Sequence, residues 1–142
     1  MLIDANLLIY AVDVRAVDHE PAAEWFTAVL NGDQRIGLPW QSVGAFTRIM
    51  TNPRVTARPL DGAEAWDLVL GWLAADVVWM PPATERTATV YERLLGQTSI
   101  TGNLVPDAQM AALAIEHGLV LCSADTDFAR FPGLRWENPL RR

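Results

Sequence analysis

Short apolar runs alternate along this chain with segments whose apolar residues recur at helical spacing, and that alternation restricts the fold more than any other feature. Leu2-Ile3, Arg35-Ile36-Gly37-Leu38, Val77-Val78-Trp79-Met80, Leu119-Val120-Leu121-Cys122 and Leu134 to Trp136 read as short strands. Between them lie six helix patterns. The first is short and runs through Leu7-Leu8-Ile9; the second starts at Asp18 and Pro21 and stops at Asn31-Gly32. Trp40 to Met50 forms the third, ended by Asn52-Pro53. Asp61 caps a fourth through Leu73, Thr84 caps a fifth through Leu95, and the last spans Pro106 to His117. A polar loop is expected over Gly96 to Gly102. Strands that alternate with helices imply an α/β layered domain around a mostly parallel central sheet. With 142 residues and no linker, repeat or low-complexity stretch, the chain is expected to form one domain, 1–142, with Arg141-Arg142 a solvated tail.

Composition excludes several classes. A chain that is 51% hydrophobic with six tryptophans has the material for a dense core and is not disordered. No apolar run approaches the ~20 residues of a membrane helix. Neither a basic segment nor a small-residue cleavage site follows Met1, so no secretory signal and a cytoplasmic location are expected. The lone Cys122, in an apolar strand, reads as a buried, inert thiol. Net charge is −6, the wrong sign for holding nucleic acid by bulk electrostatics. All eleven basic side chains are arginine, which grips phosphate by bidentate contacts, although genome composition explains the bias equally well.

Asp4 ends the first strand, Asp125 follows the fourth, and Asp107 opens a helix directly after Pro106. In a parallel sheet, strand ends and helix starts gather along one edge, where ligands bind. Three acids meeting there repel one another unless a cation sits among them. Asp127, two residues after Asp125, offers a fourth carboxylate. Each aspartate alone is explained by a turn or a cap; the three together favour a metal centre. Hard divalent ions such as Mg²⁺ or Mn²⁺ prefer oxygen ligands, and such a site suits phosphodiester hydrolysis. Asn6 and Thr126 are candidates for orienting ligands or water, while Asn6 serves equally as a helix cap. His19 and His117 are isolated, and Ser42, Ser99 and Ser123 lack a companion His/Asp arrangement. No phosphate-binding glycine loop is present, so no nucleotide cofactor is expected. Trp25, Trp66 and Trp72 fall on inward helical faces, whereas Trp40 suits either the core or stacking on a base.

The segments Leu2-Ile3-Asp4-Ala5-Asn6, Pro106-Asp107-Ala108-Gln109-Met110-Ala111-Ala112-Leu113-Ala114 and Cys122-Ser123-Ala124-Asp125-Thr126-Asp127-Phe128 together resemble the PIN-domain ribonucleases, and more closely the VapC-type toxins of toxin-antitoxin pairs. That resemblance spans essentially the whole chain. It implies a three-layer α/β/α sandwich and a Mg²⁺- or Mn²⁺-dependent endoribonuclease acting on structured RNA such as tRNA or rRNA. A homodimer and a VapB-type antitoxin whose tail blocks the site are implied as well. Asp4 and Asp107 match the family's principal metal ligands, Asp125 its further acid, and Asp127 a less regular acidic position. One departure stands out: in Val43-Gly44-Ala45-Phe46-Thr47-Arg48, Ala45 occupies the place where much of the family has a glutamate. The site would then hold one metal firmly and a second only with RNA phosphate, or Asp127 would compensate. Arg48, Arg54 and Arg58 are candidates for docking the phosphate backbone. Ala45 also motivates an alternative, a PIN-like module that binds RNA or a protein without cutting. A phosphatase or phospho-receiver built on Asp4 is disfavoured, because Asn6 supplies no second acid and the chain has no lysine.

Overall fold

A computed structural model describes residues 1–141, and Arg142 lies outside the described residues. Five strands form one sheet: β1 (Leu2–Ile3), β2 (Ile36–Gly37), β3 (Val78–Trp79), β4 (Leu121–Cys122) and β5 (Trp136–Glu137). Their spatial order is β3-β2-β1-β4-β5 and every pairing is parallel. Six helices connect them: α1 (Ala5–Val12), α2 (His19–Leu30), α3 (Trp40–Met50), α4 (Gly62–Leu73), α5 (Glu85–Gln97) and α6 (Leu104–Glu116). A 3₁₀ segment, Thr126–Arg130, follows β4.

The two-residue period of a strand divides the interior into two cores. On one face Ile3 and Cys122 pack with Leu7, Leu8, Phe26, Phe46 and Trp72 from α1 to α4. On the other Leu2 and Leu121 pack with Leu94 of α5, Ala111 and Leu113 of α6, and Phe128. Helices thus cover both faces, giving the three-layer α/β/α arrangement expected from the alternation. Trp72 anchors the first core, with its ring 5.3 Å from Phe26 and 4.9 Å from Phe46, both edge-on. At Gly37 a Cβ would meet Leu2 Cδ1 at 3.0 Å and Pro81 Cγ at 3.1 Å, so β2 can lie this close only without a side chain.

Several sequence expectations shift. The first helix is capped by Asp4, whose carboxylate accepts from the Ala5 N–H at 2.7 Å, and Asn6 lies inside the helix instead. The final helix starts at Leu104, two residues before Pro106, which is tolerated because the first-turn N–H groups have no partner within the helix. The polar loop begins later than Gly96, since α5 continues to Gln97. Trp66 is not core: it is exposed, and packs edge-on against a still more exposed Trp40 at 6.2 Å. Helical periodicity selected the correct side of α4 for Trp72 but cannot tell the centre of that face from its margin. Among the described residues no helix is long and apolar enough to cross a membrane.

Capping at α4 follows the sequence. The Glu64 N–H donates to the Asp61 carboxylate, the Asp61 N–H donates back to Glu64, both at 2.8 Å, and a capping box closes. Asp61→Ala is expected to lower stability by about 1 kcal/mol. Urea unfolding monitored by tryptophan fluorescence measures it, and an unchanged midpoint would show that the box contributes nothing.

Candidate metal centre

Register places the acids. Ile3 pairs with Cys122, and the Asp4 N–H continues the ladder by donating to the Cys122 carbonyl at 3.0 Å, so residue 4 emerges beside Ser123. The chain leaves β1 toward β2 and β3 on one side and returns as β4 on the other. A crevice opens at such a reversal of strand order. Asp107 arrives in the first turn of α6, and Asp125 caps the 3₁₀ segment by accepting from the Asp127 N–H at 2.8 Å.

One carboxylate oxygen each from Asp107, Asp125 and Asp127 lie within 4.8 Å of one another, close enough to share a cation. Asp4 is outside that tight set. With Asp107 it lines a cleft of about 150 Å³ whose remaining wall includes Gln41, Ser42 and Ala45 of α3 and Met110 of α6. The buried Ser42 hydroxyl donates to the Ile3 carbonyl at 2.7 Å and fixes the start of α3 against the end of β1. Ala45 therefore sits in the cleft wall and brings no charge to it.

Electrostatics ties all four acids together. Burial, then the negative charges of Asp125, Asp4 and Asp127, push the Asp107 carboxyl from its ordinary 3.8 up to about 6, with Arg130 opposing. Burial also raises Asp4, against hydrogen bonds from Ser123 and Ala5 that favour its charged form, while Asp125 adds to the rise. Among the described residues one cationic side chain pairs with the group: the Arg130 guanidinium donates to Asp127 at 2.7 Å.

Ser123 is the hub that the sequence did not single out for this site. Its fully buried hydroxyl donates to Asp4 Oδ2 at 2.7 Å and accepts from the Asn6 side-chain amide at 2.9 Å and the Asp125 N–H at 3.0 Å. The Asn6 carbonyl oxygen accepts from the Ala124 N–H at 3.3 Å, so Asn6 clamps α1 to the loop after β4. Thr126 does not join this network. It is exposed, and its side chain makes no hydrogen bond with the acids among the described residues.

The remaining candidates scatter. Gln41 and Ala45 face the cleft, and Arg48 continues their helical stripe one turn further along α3. Arg54 is exposed on the following loop. Arg58 lines a separate cavity with Val12, Asp13 and Arg15 that shares no residue with the acidic cleft. His19 and His117 serve structure, their ring nitrogens lying 2.9 Å from the Tyr10 and Pro82 carbonyls respectively. Cys122 is buried and its thiol is held protonated by burial, then by the nearby Glu137, in keeping with an inert role.

Comparison with known proteins agrees with the fold. The family model of the PIN domain matches residues 1–134. The ribonuclease VapC37 of Mycobacterium tuberculosis is 39% identical over 97% of this chain and 96% of its own. Among solved structures, VapBC2 of Rickettsia felis bound to a promoter DNA fragment superposes with a TM-score of 0.67 at 16% identity, covering 96% of each chain. The sarcin-ricin-loop-cleaving toxin VapC20 of Mycobacterium tuberculosis gives 0.64 at 16% identity, over 94% of this chain and 98% of its own.

Proposed function

The chain belongs to the PIN-domain family, and from that premise we propose that it is a metal-dependent endoribonuclease, the toxin of a VapBC-type pair. The observation that carries this reading is the convergence of Asp4, Asp107, Asp125 and Asp127 on one edge of the sheet, three of them within reach of a single ion. The donor set fits the group. Oxygen-only ligands suit Mg²⁺ or Mn²⁺, and the burial and the repulsion that together raise Asp107 are costs a cation offsets. Asp107, Asp125 and Asp127 would hold the ion, with Asp4 across the cleft, and Asp127 would compensate for the carboxylate that Ala45 lacks. When bound, a divalent ion supplies an acidified water and charge compensation for a phosphodiester.

The chain's own groups do the positioning. Ser123 and Ala5 direct hydrogen bonds to both oxygens of Asp4, opposing the burial that favours its neutral form and fixing the orientation of its carboxylate. Asn6 locks the same loop that carries Asp125. Arg48 and Arg54 are exposed arginines that RNA phosphates would contact. The same reading assigns the protein a structured RNA substrate such as tRNA or rRNA, a VapB-type antitoxin as partner, and self-association as a homodimer.

Incubating the protein with total RNA, with Mn²⁺ or with EDTA, and mapping the new ends tests the reading. Discrete cuts with Mn²⁺ that vanish in EDTA and in Asp4→Asn are expected. Cutting that persists in EDTA would refute the metal mechanism. RNA binding without any cutting, indifferent to EDTA, would instead favour the non-cleaving module that Ala45 suggests.

A further inference from the structure

Beside the acidic cleft the surface opens into a second, wider groove of about 360 Å³. The two adjoin, because Gln41 of α3 and Gln109 of α6 line both. Its far wall comes from Ala83 and from Thr87, Ala88 and Tyr91 of α5. No described residue lining it carries a charge. Phosphates are gripped by guanidinium, ammonium or backbone N–H groups, so a neutral portion of the ligand suits this groove while the charged portion lies at the acids.

Resting on the ribonuclease reading above, we propose that this groove seats the base of one nucleotide flanking the scissile phosphate, and that Gln41 and Gln109 decide which base is accepted. The half-buried Tyr91 ring and the methyl groups of Ala83 and Ala88 offer the apolar surface on which a base stacks. Each glutamine amide presents a donor and an acceptor, the combination that reads the exposed edge of an unpaired base. The groove's threonine hydroxyls are already engaged: those of Thr84 and Thr87 donate to Glu116. Both amides are exposed and make no hydrogen bond to other described residues, so they are free to act.

Their positions are fixed relative to the acids. Gln41 adjoins Ser42, which is pinned to the end of β1, and Gln109 follows Asp107 by two residues on the same helix. A base in the groove is thereby registered against the phosphate at the cleft. Net charge of −6 gives RNA no bulk attraction, which leaves local recognition to supply discrimination.

The test maps cut sites on RNA of randomised sequence for wild type and for Gln41→Ala/Gln109→Ala. Wild type is expected to prefer particular bases at one position beside the cut, and the double variant to lose about tenfold of that preference while preferences elsewhere persist. In parallel, fluorescence anisotropy of labelled tetranucleotides in EDTA reads base-dependent affinity without cleavage. If wild type cuts RNA and the double variant keeps the same base preference, the groove assignment fails while the nuclease reading stands. If wild type cuts nothing with Mn²⁺ yet its base-dependent affinity disappears in the double variant, the groove assignment stands and the nuclease reading fails. Unchanged base preference accompanied by weaker binding of an antitoxin co-expressed from the adjoining reading frame would give the groove to that protein and overturn the proposal.

Discussion

Asp107→Asn will produce a protein that is more heat-stable than wild type at pH 7 in chelator, yet cleaves RNA at least about a hundredfold more slowly with Mn²⁺ present. The stability gain follows from the raised carboxyl. Below pH 3.8 the residue carries its proton in both the folded and the unfolded chain and costs nothing. Between 3.8 and about 6 the folded protein retains a proton that the unfolded chain releases, so stability declines as pH rises through this window. Above it the cost is constant. After discounting for solvent screening around a partly exposed group, the cost is roughly 1–2 kcal/mol, or a shift of about 3–6 °C in Tm. An amide of the same shape removes it, and the gap between variant and wild type should close near pH 4. Saturating Mn²⁺ should reverse the order, because at about a hundred times its Kd the ion adds about 2.7 kcal/mol to a protein that binds it and nothing to one that does not. A differential scanning experiment at pH 4 and 7, with EDTA or Mn²⁺, reads all four conditions. A variant that melts no higher than wild type in EDTA at pH 7, or gains as much from Mn²⁺, would show that Asp107 is neither strained nor a ligand.

The second large effect belongs to a residue with no direct part in the chemistry. Ser123→Ala removes one buried hydroxyl and strands three groups: Asp4 Oδ2 loses a donor, and the Asn6 amide and the Asp125 N–H lose their acceptor. Leaving such groups unpaired costs about 1–3 kcal/mol each, only part of it recoverable by relaxation, so a total near 3 kcal/mol is expected. The loss should depend on pH in a defined direction. Because Ser123 opposes the burial that raises Asp4, removing it raises Asp4 further, and a raised carboxylate destabilises the fold only at pH values where the unfolded chain has released its proton. Urea unfolding should therefore show a larger deficit at pH 7.5 than at pH 4. An equal deficit at both would mean that the hydroxyl acts by packing alone.

Much of this arrangement could be read from the residues. Asp107, Asp125 and Asp127 announced themselves by standing at a helix start and after a strand, positions that a parallel sheet brings to one edge. The helices at Trp40 and Asp61 and the cap at Thr84 were legible because each is decided within four residues by periodicity and capping. What stayed hidden depends on register. Ser123 meets Asp4 across 119 positions, and nothing local in either segment says that β4 lies beside β1 with Ile3 opposite Cys122. Arg130 reaches Asp127 only because a 3₁₀ turn brings residues three apart together, a geometry the sequence did not advertise. Trp66 was misplaced for a related reason: its side of α4 is inward, but the neighbour it packs on, Trp40, is itself at the surface.

The central position of β1 carries a consequence for how the protein is made. One of its neighbours, β4, leaves the ribosome more than a hundred residues after β1 itself. Pairing over such a distance is slow to form and cannot be anticipated by a partial chain. Until it occurs, Asp4 lacks its Ser123 partner, and Asp125 and Asp127 are not yet beside Asp107. The acidic cluster is thus completed only after β4 has been made, and a product terminated before β4 lacks Asp125 and Asp127.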